Sequence, residues 1–290
     1  MVASARMTKI EPGPGATAGA AGAATAATAA ATETAGAAVT AAAAAGASAG
    51  AGAGASVARV VGAAALMFVR FAAIGTAVGA LVSRADCAFV FGTCSLRNLL
   101  GYFTIESAIL FAVTMAIAVV LAGSGLRMPH WFGFVRLTVA TYVIVSGLVF
   151  AVLMSTAGYT GAEFLVPLSS RILHFVLPAF AILDLMLDPP RGRPYRLWPV
   201  LVFPAGWFVV TLFRGASTQW YPYFFVSPEA VGGYPQLTLY ALALALILLA
   251  AFWLVRSLAR AAAGDPASKP THRTGPASNA KPRAALNDPA

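Results

Sequence analysis

The segment VPLSSRILHFVLPAFAILDLML, residues 166–187, places an arginine and a histidine inside an apolar run. Arg171, His174 and Pro178 are spaced i, i+3 and i+7, so they share one face of a helix. At about 1.5 Å per residue, His174 lies about 12–14 Å from the helix end that precedes Arg171. Pro178 frees a backbone carbonyl near residue 174, which can bend the helix and leave a polar spot beside the imidazole. His174 therefore either takes part in chemistry there or hydrogen-bonds across helices for packing.

The segment GYFTIESAIL, residues 101–110, brings hydroxyl and carboxyl groups to the start of another apolar run. Thr104 and Ser107 fall on one helical face, while Glu106 is displaced from Thr104 by about 200°. Thr104 is thus the hydroxyl that can face a cavity together with His174, unless it is only a first-turn cap. We interpret Glu106 as a structural acid at a helix N-terminus, where the helix dipole favours negative charge.

Two further ionisable residues flank His174 on the same segment. Asp184 follows it by ten residues, about 15 Å along a helix, which is too far to orient the imidazole as the acid of a triad would. We interpret Asp184 as a structural acid and expect it to pair with Arg191 or another basic group at the nearby membrane surface.

Arg171 lies one turn before His174, at about the level expected for Thr104. An unpaired arginine at this depth is costly, so it needs a partner. Glu106 and Glu163 are the internal candidates. The alternative is that Arg171 binds the carboxylate or phosphate of a lipid headgroup, because its planar guanidinium suits bidentate contact with such groups.

Aromatic residues cluster in the segment RGASTQWYPYFFVSPEAVGGYPQ, residues 214–236. Trp220, Tyr221 and Tyr223 are typical of the aromatic belt at a membrane interface. They can equally form the rim of a cavity that opens outward, with phenol groups available as hydrogen-bond donors. With Tyr102 of the earlier segment, Tyr221 and Tyr223 are candidate binding residues.

Helices in a membrane must position these groups. The 290-residue chain is 59% hydrophobic and only 10% charged, whereas a soluble domain carries about a quarter charged residues. Several apolar runs reach about 20 residues, enough to cross a hydrocarbon core of about 30 Å. We predict an all-α, polytopic membrane protein. Its six predicted spans cover about 60–82, 101–123, 134–155, 165–187, 198–214 and 234–255.

The two ends of the chain differ from the spans in composition. Residues 1–56 are rich in Ala, Gly and Thr, which bury little apolar surface, and their glycines disfavour helix. Residues 257–290 are polar, basic and rich in proline. Both ends are predicted to be disordered tails that flank a transmembrane domain at 57–256.

Basic residues near the span ends predict the orientation. With both termini in the cytoplasm, eight arginines fall on the inner side and three on the outer side. The inner group is Arg59, Arg127, Arg136, Arg191, Arg193, Arg196, Arg256 and Arg260, and the outer group is Arg84, Arg97 and Arg214. This asymmetry predicts a multi-pass protein of the plasma membrane with both termini inside.

The net charge of +9 is then explained by topology and attraction to anionic lipid, not by binding to nucleic acid. No zinc-finger spacing, phosphate-binding loop or dinucleotide-binding turn occurs in a usable context, so we expect no cofactor and no metal. Membrane lipids are the expected partners, and the sequence identifies no protein partner.

Cys87 and Cys94 fall in the connection predicted to lie outside the cell. In an oxidising compartment they can close a small disulfide ring. Two free thiols remain the alternative.

Three short motifs together resemble a known family. YFTIESAIL (102–110), HFVLP (174–178) and QWYPYFF (219–225) resemble the Pr-six-Pr family of actinobacterial six-helix membrane proteins, whose usual second-span motif is Y-F-T-I-Q-S-N. That family is similar in turn to the animal androgen-inducible membrane proteins, threonine hydrolases that cleave fatty acid esters of hydroxy fatty acids. The resemblance covers about residues 60–255.

This resemblance implies that Thr104 is a nucleophile and His174 its base, in a hydrolase of fatty acyl esters. A threonine hydroxyl needs such a base, and a neutral imidazole suits the role near pH 7. The chain departs from the family motif at Glu106 and at Ala108, where the family has Gln and Asn.

The alternative is a non-catalytic six-helix protein that binds or moves a lipid or small apolar ligand, and a scaffold is a third function. A secondary transporter is disfavoured, because the first three spans and the last three show no convincing internal repeat.

Overall fold

The structure is a computed structural model that describes residues 53–126, 128–156, 166–191 and 195–264. It contains six long helices. They are α1 (Ala53–Phe89), α2 (Phe103–Gly123), α3 (His130–Thr156), α4 (Leu168–Leu187), α5 (Trp198–Thr218) and α6 (Tyr234–Ala262). The described residues include no strand, and all six helices are long and apolar enough to cross a membrane. The predicted all-α, six-helix membrane fold is confirmed.

Two of the helices are composite. In α4, α-helical turns at Leu168–Arg171 and Leu177–Leu187 flank a π-helical segment, Ile172–Val176. In α5, a 3-10 turn at Trp198–Leu201 precedes the α-helical part. Short helices in the connections are Leu96–Leu99, Phe224–Val226 and Pro228–Val231.

The first and last helices extend a few residues past the predicted boundaries of the transmembrane domain. α1 begins at Ala53, within the tail predicted at 1–56, and α6 continues to Ala262, past the boundary at 256. Ala, Leu and Arg are strong helix formers, so the helix runs on to the turn that contains Gly264. Residues 1–52 and 265–290 lie outside the described residues.

The core forms where α1–α4 pack together and α6 packs against α3. One side of α1 presents Ala73, Ala77 and Ala80, all buried and spaced i, i+4, i+7. Small side chains let helix backbones approach closely in a membrane, where lipid offers no hydrophobic driving force. α1 can therefore pack closely against α2 and α4, its main neighbours.

The connections alternate, so α2, α4 and α6 begin at the end of the bundle where α1, α3 and α5 finish. Cys87, in the last turn of α1, is joined at this end to Cys94 by a disulfide, with the two Cα atoms 5.4 Å apart. We call this the disulfide end. Which side of the membrane it faces stays a prediction from the arginine distribution.

Near the opposite end, two arginines and two aspartates form a charged cluster. Arg70 of α1 donates to Asp184 Oδ1 (2.8 Å) and Asp188 Oδ2 (2.6 Å). Arg136 of α3 donates to Asp184 Oδ2 (2.6 Å) and Asp188 Oδ2 (3.1 Å). Arg70, Arg136 and Asp184 are at most 2% exposed. The cluster therefore joins α1, α3 and α4 through groups that neutralise each other.

Of the partners expected for Asp184, the structure shows other basic groups, Arg70 and Arg136, in place of Arg191. Asp184 and Asp188 are four residues apart and face α1 and α3, whereas Arg191 follows two prolines and is exposed. Arg136 is also not the surface residue that the orientation argument assumed, because α3 begins at His130 and buries it. Pairing with Arg70 and Arg136 is consistent with the structural role predicted for Asp184.

Candidate functional site

The first turn of α2 sets the position of the Thr104 hydroxyl. Tyr102 is the N-cap residue, in extended conformation, so Thr104 lies one residue inside the helix and is 8% exposed. Its Oγ1 lies 3.3 Å from His174 Nε2 of α4 and 2.7 Å from Ser146 Oγ of α3. A third group, the Tyr223 hydroxyl, lies 3.4 Å away. The hydroxyl thus lies where three other polar groups converge.

The π-helical segment of α4 orients the imidazole of His174. Its Nδ1 lies 2.8 Å from the backbone carbonyl oxygen of Ser170. A carbonyl oxygen only accepts hydrogen bonds, so Nδ1 carries the proton, and Nε2 of the neutral ring turns a lone pair toward Thr104. The ring of Phe150 stacks on the imidazole, with centroids 3.9 Å apart and planes 19° apart. Nε2 is therefore held in the state that can accept a proton from Thr104.

A close contact between α3 and α4 supports this arrangement. Pro178 has no N–H to offer the carbonyl of His174 four residues earlier, as the sequence predicted, and the π-helical segment lies just before it. Gly147 of α3 faces that carbonyl, and a Cβ built on Gly147 would collide with the His174 oxygen. Only glycine allows α3 to approach α4 here.

The four polar groups lie on the wall of a cavity of about 280 Å³. The rest of the wall is mostly apolar side chains from α3, α5 and α6, among them Val149, Leu201, Phe208, Leu244 and Leu248. Tyr223 and Thr104 lie toward the disulfide end, whereas Leu201 belongs to the first turn of α5 near the opposite end. The result is an apolar chamber with one polar end, which suits a ligand with a hydrocarbon chain and a polar head.

Aromatic residues hold Tyr223 against Thr104. Its ring stacks on Phe225, with centroids 5.0 Å apart, and meets the edge of Tyr102 at 5.6 Å. Burial of the phenol raises the pKa of Tyr223 to about 12, although its hydrogen bonds to Thr104 act to lower it. The phenol is therefore neutral at physiological pH and carries the proton that it can donate.

The other predicted binding residues do not line the cavity. Tyr102 packs its ring between Trp220 and Tyr223, and Tyr221 packs its ring on Gly215. Both contact the aromatic segment that carries Tyr223, and their predicted binding role stays a prediction.

Arg171 also departs from its predicted position. Its side chain is exposed and lies outside the cavity wall, while His174 faces the cavity. The i, i+3 argument assumed α-helical rotation, but the wider π-helical turns begin at Ile172 and rotate His174 relative to Arg171. Glu106 is half-buried in the first turn of α2 and away from the cavity wall, and Glu163 lies outside the described residues.

Sequence reasoning missed Ser146, the closest neighbour of the Thr104 hydroxyl. A Ser-Gly pair, Ser146 and Gly147, in the middle of an apolar span was the available signal, since small residues mark close helix contacts. No sequence signal predicts that the Ser170 carbonyl accepts a hydrogen bond from His174 Nδ1, because this contact depends on the π-helical turn. Ala108 is buried and provides no polar side chain.

No group of three His, Cys, Asp or Glu residues in the described parts of the chain could hold a metal ion. Comparison of the whole chain with protein-family models, with curated proteins and with solved structures finds no match.

Proposed function

We propose that this integral membrane protein is a lipid-ester hydrolase, with Thr104 as its nucleophile and His174 as its general base. The observation that carries the proposal is the 3.3 Å separation between Thr104 Oγ1 and His174 Nε2 at the polar end of an apolar cavity. A nucleophile and base near hydrogen-bonding distance, with the base oriented by a third group, is the arrangement that hydroxyl nucleophiles require. The third group here is the Ser170 carbonyl. The resemblance to the threonine hydrolases implies the same pair.

The reaction has two stages. Thr104 Oγ1 attacks the ester carbonyl carbon as its proton moves to His174 Nε2, and the carbonyl electron pair moves to the oxygen. Collapse of this tetrahedral intermediate expels the alcohol, which takes the proton from His174, and leaves an acyl-threonine. Water then attacks the acyl-threonine with His174 again as base, which releases the fatty acid and restores the threonine.

The cavity supports a fatty acyl ester as the substrate class. An acyl chain lying along Val149, Leu244 and Leu248 would contact apolar side chains over its length. Its ester group would lie at Thr104, where the polar groups are. An acyl chain that enters this chamber from the bilayer exchanges one apolar environment for another, so the chamber can hold it without charged contacts.

A second function is favoured by one specific observation. The His174 Nδ1 donates to a backbone carbonyl, which orients the ring but stabilises an imidazolium less than a carboxylate does. A protein that only binds or moves a lipid needs the apolar chamber and no strong base. The alternative is therefore a non-catalytic lipid-binding protein that uses the same cavity.

Labelling with an alkyl fluorophosphonate, followed by mass spectrometry of the modified peptide, tests the hydrolase proposal. We expect wild type to be modified at Thr104 and Thr104→Ala to be unreactive. Thr138→Ala is the matched control, because Thr138 is also buried and its hydroxyl has no partner among the described residues. It should react as wild type does. A folded wild type that binds a photoreactive fatty acid in the cavity, yet is not labelled, would support the non-catalytic alternative.

A further inference from the structure

We infer that the Tyr223 hydroxyl is a catalytic hydrogen-bond donor that, with the Thr104 backbone N–H, binds the oxyanion of the tetrahedral intermediate. The inference rests on the proposed hydrolase function and assigns a role to a residue outside the Thr104–His174 pair. Tyr223 belongs to the segment between α5 and α6, so it is far from both residues in sequence.

The Tyr223 hydroxyl lies 3.4 Å from two atoms of the nucleophile residue, Thr104 Oγ1 and the Thr104 backbone nitrogen. Thr104 is in the first turn of α2, where backbone N–H groups have no partner within the helix. Its N–H therefore points out of the helix end and donates to the phenol oxygen. The neutral phenol keeps its own proton for a second acceptor.

An attacked ester would place its oxygen between these donors. In the tetrahedral intermediate, Thr104 Oγ1 and the former carbonyl oxygen are bonded to the same carbon. The negatively charged oxygen therefore lies close to Oγ1. His174 and Ser146 contact Oγ1 as well. The Tyr223 O–H then remains to meet the developing negative charge, and the Thr104 N–H can turn from the neighbouring phenol oxygen to the same atom. Donors held in place before the reaction stabilise such charge without reorganisation.

The aromatic packing of Tyr223 supplies that rigidity. Its ring is fixed by Phe225 on one face, by the edge of Tyr102, and by Trp207 at 6.0 Å. Trp207 is itself held by a hydrogen bond from its Nε1 to the Gly101 carbonyl, 3.1 Å away. A tyrosine that served only as a surface aromatic would not need its hydroxyl directed at Thr104.

The simplest competing role is structural, with the phenol acting as a cap for the Thr104 N–H. Both roles lose the same hydroxyl in Tyr223→Phe, which keeps the ring and its packing. They differ in what the loss should affect. An oxyanion donor acts on the charged oxygen of the substrate, whereas a helix cap affects the position of Thr104 whatever the substrate.

The test measures hydrolysis of p-nitrophenyl octanoate and of its thionocarbonyl analogue by purified full-length protein in detergent. Sulfur is a weak hydrogen-bond acceptor, so an oxyanion donor contributes little to the thionoester. We expect Tyr223→Phe to lower kcat for the oxygen ester by about 10²–10³-fold, the usual loss for one oxyanion donor, with KM little changed. The loss for the thionoester should be much smaller. Tyr240→Phe, an exposed tyrosine on α6, is the control and should match wild type.

Each other outcome is decisive. Equal losses on both esters would overturn the oxyanion role and favour a positioning role, and wild-type activity of Tyr223→Phe would overturn both. If Tyr223→Phe does not accumulate, the test compares kcat of the wild-type protein for the two esters. Equal kcat values for the oxygen ester and the thionoester would overturn the inference. A wild type that is not labelled at Thr104 and hydrolyses neither ester removes the hydrolase proposal itself, which separates that failure from the others.

Discussion

Replacing Gly147 by alanine should separate α3 from α4 and weaken the contact between Thr104 and His174. A Cβ at Gly147 would collide with the backbone oxygen of His174 and would lie 3.2 Å from Pro178 Cγ. The oxygen belongs to the α4 backbone, so it cannot move aside as a flexible side chain would. Ordinary contact at 3.4–4 Å requires a displacement on the order of 1 Å, borne by the helices as a unit.

The expected loss follows from where His174 already lies. Its Nε2 is 3.3 Å from Thr104 Oγ1, and a misplacement of about 1 Å at a catalytic group costs about 10²-fold in rate. Overpacking of a core costs about 1–3 kcal/mol. Alanine recovers up to about 1 kcal/mol of helix propensity relative to glycine. We therefore expect a net destabilisation of about 0–3 kcal/mol and labelling of Thr104 that is about 10²-fold slower.

The assay is the rate of fluorophosphonate labelling, together with the thermal unfolding midpoint of the purified protein. Gly79→Ala is the matched control, because Gly79 is in α1 and a Cβ there meets nothing within 4 Å. It should label as wild type does and unfold at the same or a higher temperature. If Gly147→Ala labels at the wild-type rate and is as stable as Gly79→Ala, then α3 and α4 do not meet as described and the argument fails.

Three further predictions follow from the structure. Asp184→Asn should cost about 3–5 kcal/mol, because it leaves two buried arginines undercompensated. The unfolding midpoint should fall far more than for Asp86→Asn, which changes a half-buried aspartate of α1. The stability that neutral Tyr223 contributes is fully present below its ordinary pKa of about 10 and is lost as pH rises through its raised pKa of about 12. Midpoints measured from about pH 9 to about pH 12 should fall more steeply for wild type than for Tyr223→Phe. Thiol tagging of denatured, unreduced protein should find Cys87 and Cys94 unreactive, and two tagged thiols would contradict the disulfide.

The sequence by itself predicted that the protein lies in a membrane, that it has six helices, and which polar residues within those helices needed an explanation. Apolar runs of about 20 residues can satisfy every backbone group in lipid only as helices, so hydropathy predicts the elements. Thr104, His174 and Asp184 stood out because polar groups inside such runs are costly. The interruption of α-helical hydrogen bonding in α4 near residue 174 could also be predicted from the sequence, since Pro178 lacks the N–H that an α-helix requires.

The tertiary structure decided which of these groups meet. The spacing of two residues on one helix predicts the angle between their side chains around the helix axis, because the rise and rotation per residue are fixed. This holds only while the segment is α-helical. The π-helical segment of α4 broke that condition and separated Arg171 from the cavity. Contacts between helices depend on where their surfaces approach, which Gly147 sets for α3 and α4. Ser146 contacts Thr104, and Asp184 pairs with Arg70 and Arg136. These contacts join different helices, so the spacing of residues within one segment cannot predict them.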